Sequence, residues 1–270
     1  MTHSLALVTG ASSGIGRALC FILAEKGINL IISGRNLNEL EETAQVLRRN
    51  VAVQIVQADL AIPHERKTLI ELIRLRAPDL VINNAGFALY NDAILHETEK
   101  QMQILEVNGM ALLQITLEAA KAMKAHKMRG VIMNISSVAG FFIFPCFSVY
   151  AASKSFVNEL SQSLDYELAP EGIRVLAACP GMVDTNFRVR SGGTSNIKKE
   201  GLMTAQYAAE QIWNQINQKK RLNIFNWKYR LAVLARHFIP QFLYSKILKK
   251  ILKKDANDFI YRHGFRALDS

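Results

Sequence analysis

The chain has 270 residues, 50% of them hydrophobic and 21% charged, a balance that supports a sizeable core and excludes disorder or a fibrous repeat. Its three cysteines, Cys20, Cys146 and Cys179, stand in no CxxC or Cys/His spacing, which excludes a disulfide framework and a zinc site and suits a reducing compartment. The formal net charge of +10 lies wholly in the last fifth, since residues 1–218 hold 20 Lys+Arg against 20 Asp+Glu and residues 219–270 hold 13 against 3.

The first nine residues are too short in their apolar run and too poor in cations for a secretory signal, and no run of about 18 uncharged apolar residues follows, so a cytoplasmic protein with no membrane span is expected. Apolar runs of strand length occur at residues 5–8, 30–32, 51–56, 80–82, 131–135 and 175–178. Between them, residues 18–26, 37–49, 67–76, 103–123 and 156–168 carry apolar side chains at three- and four-residue spacings. This alternation predicts an α/β domain, a doubly wound parallel sheet covered by helices on both faces. Residues 187–200 have loop composition after the sixth strand, where ligands sit in such sheets, and are expected to form a mobile substrate flap.

The first strand runs directly into Thr9-Gly10-Ala11-Ser12-Ser13-Gly14-Ile15-Gly16 at the start of a helix. Glycines allow the sharp turn and the close approach of a pyrophosphate, whose charge is met by free N–H groups and the helix dipole. The spacing is G-x-x-x-G-x-G rather than G-x-G-x-x-G. Further along, Tyr150 and Lys154 lie four apart in a helix-period segment and so share one face, where an ammonium lowers the pKa of the phenol.

Together with Asn83-Asn84-Ala85-Gly86, Ser137, Tyr150-Ala-Ala-Ser-Lys154 and Pro180-Gly181, the glycine turn resembles the short-chain dehydrogenase/reductase family over about residues 4–226. The resemblance implies a single Rossmann-type domain (residues 1–226), followed by a basic helical extension (residues 227–270). It also implies hydride transfer between nicotinamide and a carbonyl, with Tyr150 as the proton donor in reduction and Ser137 bonding the developing oxyanion. Lys154 would orient the nicotinamide ribose as well as tune Tyr150, and Asn108 would hold a water of a proton relay; alternatively Asn108 only bends its helix. Ser136, fourteen residues before Tyr150, is expected to be structural.

Cofactor contacts are implied for Gly10, Ser12, Ser13, Gly14, Ile15 and Gly16, for Asn84, Ala85 and Gly86 with Asn83 beside them, and for Pro180, Gly181, Val183 and Thr185. Asp59 and Leu60 match the pair that meets the adenine, although Asp59 could serve only as a cap, and so could Thr185. Gly34 stands where an NAD enzyme places an acid, and Arg35 follows it, suited to a 2′-phosphate unless it is merely a solvated loop residue. NADP(H) is therefore expected over NAD(H), and no metal is expected.

Four phenylalanines in Phe141-Phe-Ile-Phe-Pro-Cys-Phe147 favour a small apolar substrate, a 3-oxoacyl chain, sterol-like ring or long ketone, unless they are packing residues. The rival activity is an NADP-dependent alcohol or steroid-type dehydrogenase; the rival class is a dinucleotide-binding membrane or partner protein. In the extension, Pro240 should separate two helices. The second, residues 241–254, is basic and amphipathic, suited to an anionic membrane surface or to packing on the cleft or a second subunit; nucleic acid is not expected. The resemblance also implies pairing through the helices at 103–123 and 148–168, as a homodimer or homotetramer.

Overall fold

The computed structural model describes residues 3–192 and 202–235. The six apolar runs become β1 (Leu5–Thr9), β2 (Asn29–Gly34), β3 (Val53–Gln57), β4 (Leu80–Asn83), β5 (Gly130–Ile135) and β6 (Ile173–Cys179). With two further elements, a short pair β7 (Val183–Asp184) and β8 (Met203–Thr204), and a last strand β9 (Leu222–Ile224), the chain completes two sheets. The larger is parallel with order β3-β2-β1-β4-β5-β6-β9. The chain reverses direction across the sheet between β1 and β4, so the loops leaving those two strands diverge and open the crevice in which such sheets bind ligands.

Alternation along the central strands sends side chains to two separate cores. Ala6 and Val8 of β1 and Leu80 and Ile82 of β4 pack with Leu19, Leu23 and Ile212 on one face. Leu7 and Val81 pack with Leu69, Ile73 and Ile115 on the other. The first layer is built by α1 (Gly14–Glu25), α2 (Leu37–Leu47) and, from later in the chain, a helix at Ala205–Gln218. The second is built by α3 (Pro63–Arg76), α5 (Leu112–Ala125) and α6 (Ser148–Leu168), with α4 (Thr98–Leu105) packed on α6. Two-faced burial is why the strands read as continuous apolar runs.

Three features depart from the expected elements. The segment at 103–123 is not one α-helix: α4 and α5 are joined by a π-helical turn, Glu106–Ala111, that carries Asn108, an insertion characteristic of functional sites. The expected flap begins as a four-residue helix, α7 (Phe187–Arg190), and its residues 193–200 lie outside the described residues. The helix Ala205–Gln218, α8, was not among the expected elements, although its buried Ala208, Ala209, Ile212 and Ile216 recur at helical spacing; nor was β9, which is three residues long with Asn223 at its centre. Of the extension, α9 (Trp227–Ala235) is described, whereas residues 241–254 lie outside the described residues.

The far edge of the sheet is pinned by one buried carboxylate. Asp165 of α6 accepts from Arg174 Nε and Nη2 at 2.7 and 2.9 Å, from the Val175 N–H at 3.0 Å, and from Arg221 Nε at 2.7 Å. Burial by itself would raise its pKa, but these donors hold it below the usual carboxylate value.

Candidate active site

At the end of β1, Gly10 and Gly14 have φ of +64° and +57°, which a side chain would resist. A Cβ on Gly16 would collide with the Gly10 carbonyl and the Asn84 amide, so the turn packs down to bare backbone. Helix α2 caps its own start, Asn36 accepting from Glu39 N–H at 3.3 Å. Helix α1 does not: Ser13 makes no capping bond, and the first turn carries no acidic side chain. Its uncapped N–H groups and half-buried Ser12, Ser13, Gly14 and Ile15 form a donor set that fits a phosphate.

The loop after β4 braces this turn. Asn84 Nδ2 donates to the Thr9 and Gly10 carbonyls at 3.0 and 3.1 Å, and the Asn84 and Ala85 N–H groups both donate to Thr9 Oγ1 at 3.1 Å. Thr9 was not singled out by the sequence, because a threonine ending a strand carries no pattern of its own. Asn83, grouped above with the cofactor-lining residues, is 3% exposed and donates to Thr116 Oγ1 of α5 and Asn134 Oδ1 of β5.

On the β2 side, Gly34 ends the strand and Arg35 follows with a side chain 66% exposed, Nη1 standing 3.8 Å from Asp59 Oδ2. Asp59 also accepts from the Ala61 N–H at 2.9 Å, the local capping role weighed for it. Leu60 is buried, and its carbonyl accepts from Arg66 Nη1 at 2.6 Å. Arg66 in turn pairs with Glu106 at the head of the π-helical turn.

That turn delivers Asn108, fully buried, whose Oδ1 accepts from the Phe87 N–H at 3.1 Å while Nδ2 donates to the Phe87 carbonyl at 2.9 Å. Gly86 makes room for it: a Cβ there would lie 2.9 Å from Asn108 Oδ1 and 3.5 Å from Lys154 Nζ. Asn108 and Lys154 therefore face the same point after β4.

Ser137 follows β5, and Tyr150 and Lys154 lie on α6. The Ser137 hydroxyl lies beside the phenol and draws its pKa down, and it accepts from the Ala139 N–H at 3.1 Å. Lys154 is 4% exposed, donates to the Ile135 carbonyl at 2.8 Å, and has Nζ 5.7 Å from the Tyr150 ring centre. Burial pushes the phenol up to about 12, against the pull of Ser137, and pushes the Lys154 amine down to about 8. The expected lowering of the phenol by the ammonium is not found in the protein alone, where Ser137 is the neighbour that lowers it and burial dominates. Tyr150 keeps its proton at neutral pH, the state a proton donor needs. Ser136 donates to the Lys154 carbonyl at 3.0 Å, a bond within the scaffold.

An aromatic wall surrounds the phenol. Phe147 stands 5.6 Å from the Tyr150 ring and touches Phe144 and Tyr90 at 5.8 and 5.1 Å; Phe187 of α7 lies 5.6 Å from Tyr150 on another side. Phe187 opens the segment expected to flap over the substrate; its contact with Tyr150, 37 positions away in sequence, is what the fold adds. The Pro180 carbonyl accepts from the Val138 N–H at 3.1 Å, and Val183 pairs with Met203. Thr185 does two things: Oγ1 accepts from the Phe187 N–H at 3.3 Å, and its methyl lies 3.3 Å from where a Gly14 Cβ would be. The ring of Tyr229 in α9 packs so closely on Gly181 that a Cβ would collide with it. The start of the extension therefore lies against the loop after β6. Among the described residues, no group of three His, Cys, Asp or Glu could hold a metal, and no helix is long and apolar enough to cross a membrane.

Residues 4–195 match the profile of the short chain dehydrogenase family. An uncharacterised oxidoreductase of Staphylococcus aureus is 31% identical over 226 residues, 83% of this chain and 95% of that protein. A short-chain dehydrogenase from Sphingobium yanoikuyae, solved in complex with NADPH, superposes with a TM-score of 0.77 at 26% identity, covering 99% of this chain and 98% of its own. A short-chain dehydrogenase/reductase from Burkholderia phymatum, solved with NAD, has the same fold with a TM-score of 0.79 at 22% identity, covering 87% and 93%. The chain belongs to the short-chain dehydrogenase family of oxidoreductases, with its Rossmann-type fold.

Proposed function

We propose that the chain is an NADP(H)-dependent reductase of bulky apolar carbonyl compounds, with 3-oxoacyl and other lipid-like ketones as the first class to test. The observation that carries the substrate reading is the wall of Phe147 and Phe187 on two sides of the protonated Tyr150 phenol. Such a wall rewards apolar area near the reacting carbonyl. The cofactor reading is supported by Gly34 and Arg35 at the end of β2, and by the NADPH bound in the Sphingobium yanoikuyae relative.

When bound, the reduced nicotinamide supplies the hydride. The residues of this chain do the remainder. Ser137 and Tyr150 bond the substrate oxygen, and Tyr150 Oη gives up its proton to that oxygen as negative charge develops there. Lys154, fixed on Ile135, meets the phenolate left behind with its positive charge, and Asn108 sits beside it at the buried end of the proton path. The uncapped start of α1 holds the pyrophosphate, while Gly181, Val183 and Thr185 border the ring.

The test is NADPH oxidation by the purified protein with thioesters and ketones of increasing length and ring size, beside Tyr150→Phe. Turnover that grows with apolar size and disappears in the variant supports the proposal. NADPH binding without turnover on any of them would overturn it in favour of a dinucleotide-binding interaction protein. A polar or short ketone as best substrate would favour the alcohol dehydrogenase reading.

The domain is taken to end at residue 226, with the extension acting from the periphery of an anionic membrane. This is supported by Trp227, Leu231 and Leu234, all more than half exposed on α9, and by the cationic excess of residues 219–270. Flotation with anionic vesicles should fall when residues 241–270 are removed. Pairing into a dimer or tetramer is supported by the exposed Met102, Leu105, Met110 and Phe156 along α4, the π-helical turn and α6, and sedimentation reads it directly.

A further inference from the structure

Arg190 closes α7, yet its guanidinium reaches the opposite rim of the nucleotide crevice. Nη1 donates to Ser13 Oγ at 3.2 Å, across 177 positions of sequence, and Nη2 stands 4.0 Å from Glu39 Oε1. Ser13 is the residue before α1 and Glu39 lies in the first turn of α2. The guanidinium therefore spans the gap between the loops that leave β1 and β2, and β2 ends at Gly34, followed by Arg35. Arg190 is held there by its backbone. Phe187 rests on Tyr150, Ser191 Oγ donates to the Phe187 carbonyl at 2.7 Å, and the Tyr90 N–H donates to the Ser191 carbonyl at 2.7 Å.

Arg35 after β2 and Arg190, reaching the first turn of α2, each stand beside a carboxylate that they do not properly bond. Arg35 is 3.8 Å from Asp59 and Arg190 is 4.0 Å from Glu39, both beyond hydrogen-bonding distance. Their side chains are 66% and 51% exposed, so neither pairing offsets much of the cost of holding a long side chain in place. A bare ribose hydroxyl offers neither guanidinium an anionic partner. A phosphomonoester, with about −1.5 to −2 charge and three acceptor oxygens, offers one to both, and its oxygens suit the planar fork of arginine.

We propose that Arg190 is a second ligand of the cofactor 2′-phosphate, brought to it by α7 and acting with Arg35 and the Ser13 hydroxyl. The assignment rests on the NADP(H) reading above. It places part of cofactor discrimination on the helix that also forms the substrate wall.

The probes are adenosine 2′,5′-bisphosphate, which carries the 2′-phosphate without nicotinamide, and 5′-AMP, which lacks it. Their dissociation constants are measured calorimetrically with the full chain and with Arg190→Gln, Arg190→Lys and Arg35→Gln. Arg190→Gln should weaken the bisphosphate about tenfold or more while leaving 5′-AMP unchanged, the loss expected for one charge-assisted hydrogen bond. Arg190→Lys should recover part of it. Equal weakening of both probes would overturn the assignment, because it would put Arg190 on the shared 5′-phosphate or on the fold. If the full chain discriminates between the probes and Arg190→Gln discriminates as strongly, the assignment falls while the NADP(H) reading survives on Arg35. If the full chain binds both probes equally, the NADP(H) reading fails, and the Arg190 assignment with it.

Discussion

Lys154 donates from Nζ to the Ile135 carbonyl at 2.8 Å, so the strand that leads to Ser137 also fixes the amine that serves Tyr150. The cost of keeping that amine dry is visible in its pKa, which burial lowers from 10.5 to about 8. Between those values the unfolded chain holds a proton that the folded chain has released. By linkage, the folded state therefore gains stability as pH rises through that window. Cys20 and Cys179 run the other way above 9.0 and Tyr150 above 10.0, burial holding all three up in the fold, so the measurement belongs below pH 9. In Lys154→Met the gain is absent, and urea unfolding should show the wild type improving relative to the variant from about pH 8 upward. A constant difference across that range would contradict it.

Gly86→Ala should damage the proton path before it damages the sheet. Its Cβ would lie 2.9 Å from Asn108 Oδ1, and a shift of the Asn108 amide disturbs its bonds to Phe87 and Ser153. Overpacking of this kind costs about 1–3 kcal/mol. The expected outcome is a folded protein with a lower Tm and turnover reduced about tenfold or more. Retained turnover would mean that Asn108 is a scaffold residue only.

Phe187→Ala removes one side of the aromatic wall but none of the proton-transfer groups. An aromatic pair contributes about 0.5–1.5 kcal/mol beyond its buried area, so KM for a bulky aromatic ketone should rise several-fold. For a small ketone that cannot reach α7, KM should stay as it was. Equal effects on both substrates would show that α7 shapes the site as a whole rather than its apolar reach.

Asp165 lies far from the chemistry and should read out in stability alone. Asp165→Ala leaves Arg174 and Arg221 without the carboxylate they share, and removing one partner of a buried pair costs about 3–5 kcal/mol. Denaturant unfolding should show that loss, with NADPH affinity unchanged in the folded fraction. In the wild type, the depressed pKa of Asp165 means that its contribution is complete above 3.8 and is lost as pH falls through the folded value.

How much was legible differs from element to element for physical reasons. The strands β1, β2, β4, β5 and β6 announce themselves because both their faces are buried, which makes each a run of apolar residues. β9 is three residues long with a polar centre, and it is a strand only because β6 offers it an edge. The π-helical turn is equally silent, since one extra residue in a helix leaves the apolar spacing on either side intact.

For the site, motifs local in sequence were readable: the glycine turn, and the four-residue spacing of Tyr150 and Lys154 that places both on one face of α6. The sequence by itself therefore determined the layered α/β fold, the glycine turn that opens α1, and the shared helix face of Tyr150 and Lys154. Only the tertiary structure decided which distant side chains complete the site. Phe187 meets Tyr150, Arg190 meets Ser13, Tyr229 meets Gly181, and Asn83 meets Asn134. A periodic pattern encodes burial along one element, whereas a contact between loops depends on where the finished sheet places their ends, and no short stretch of sequence carries that distance.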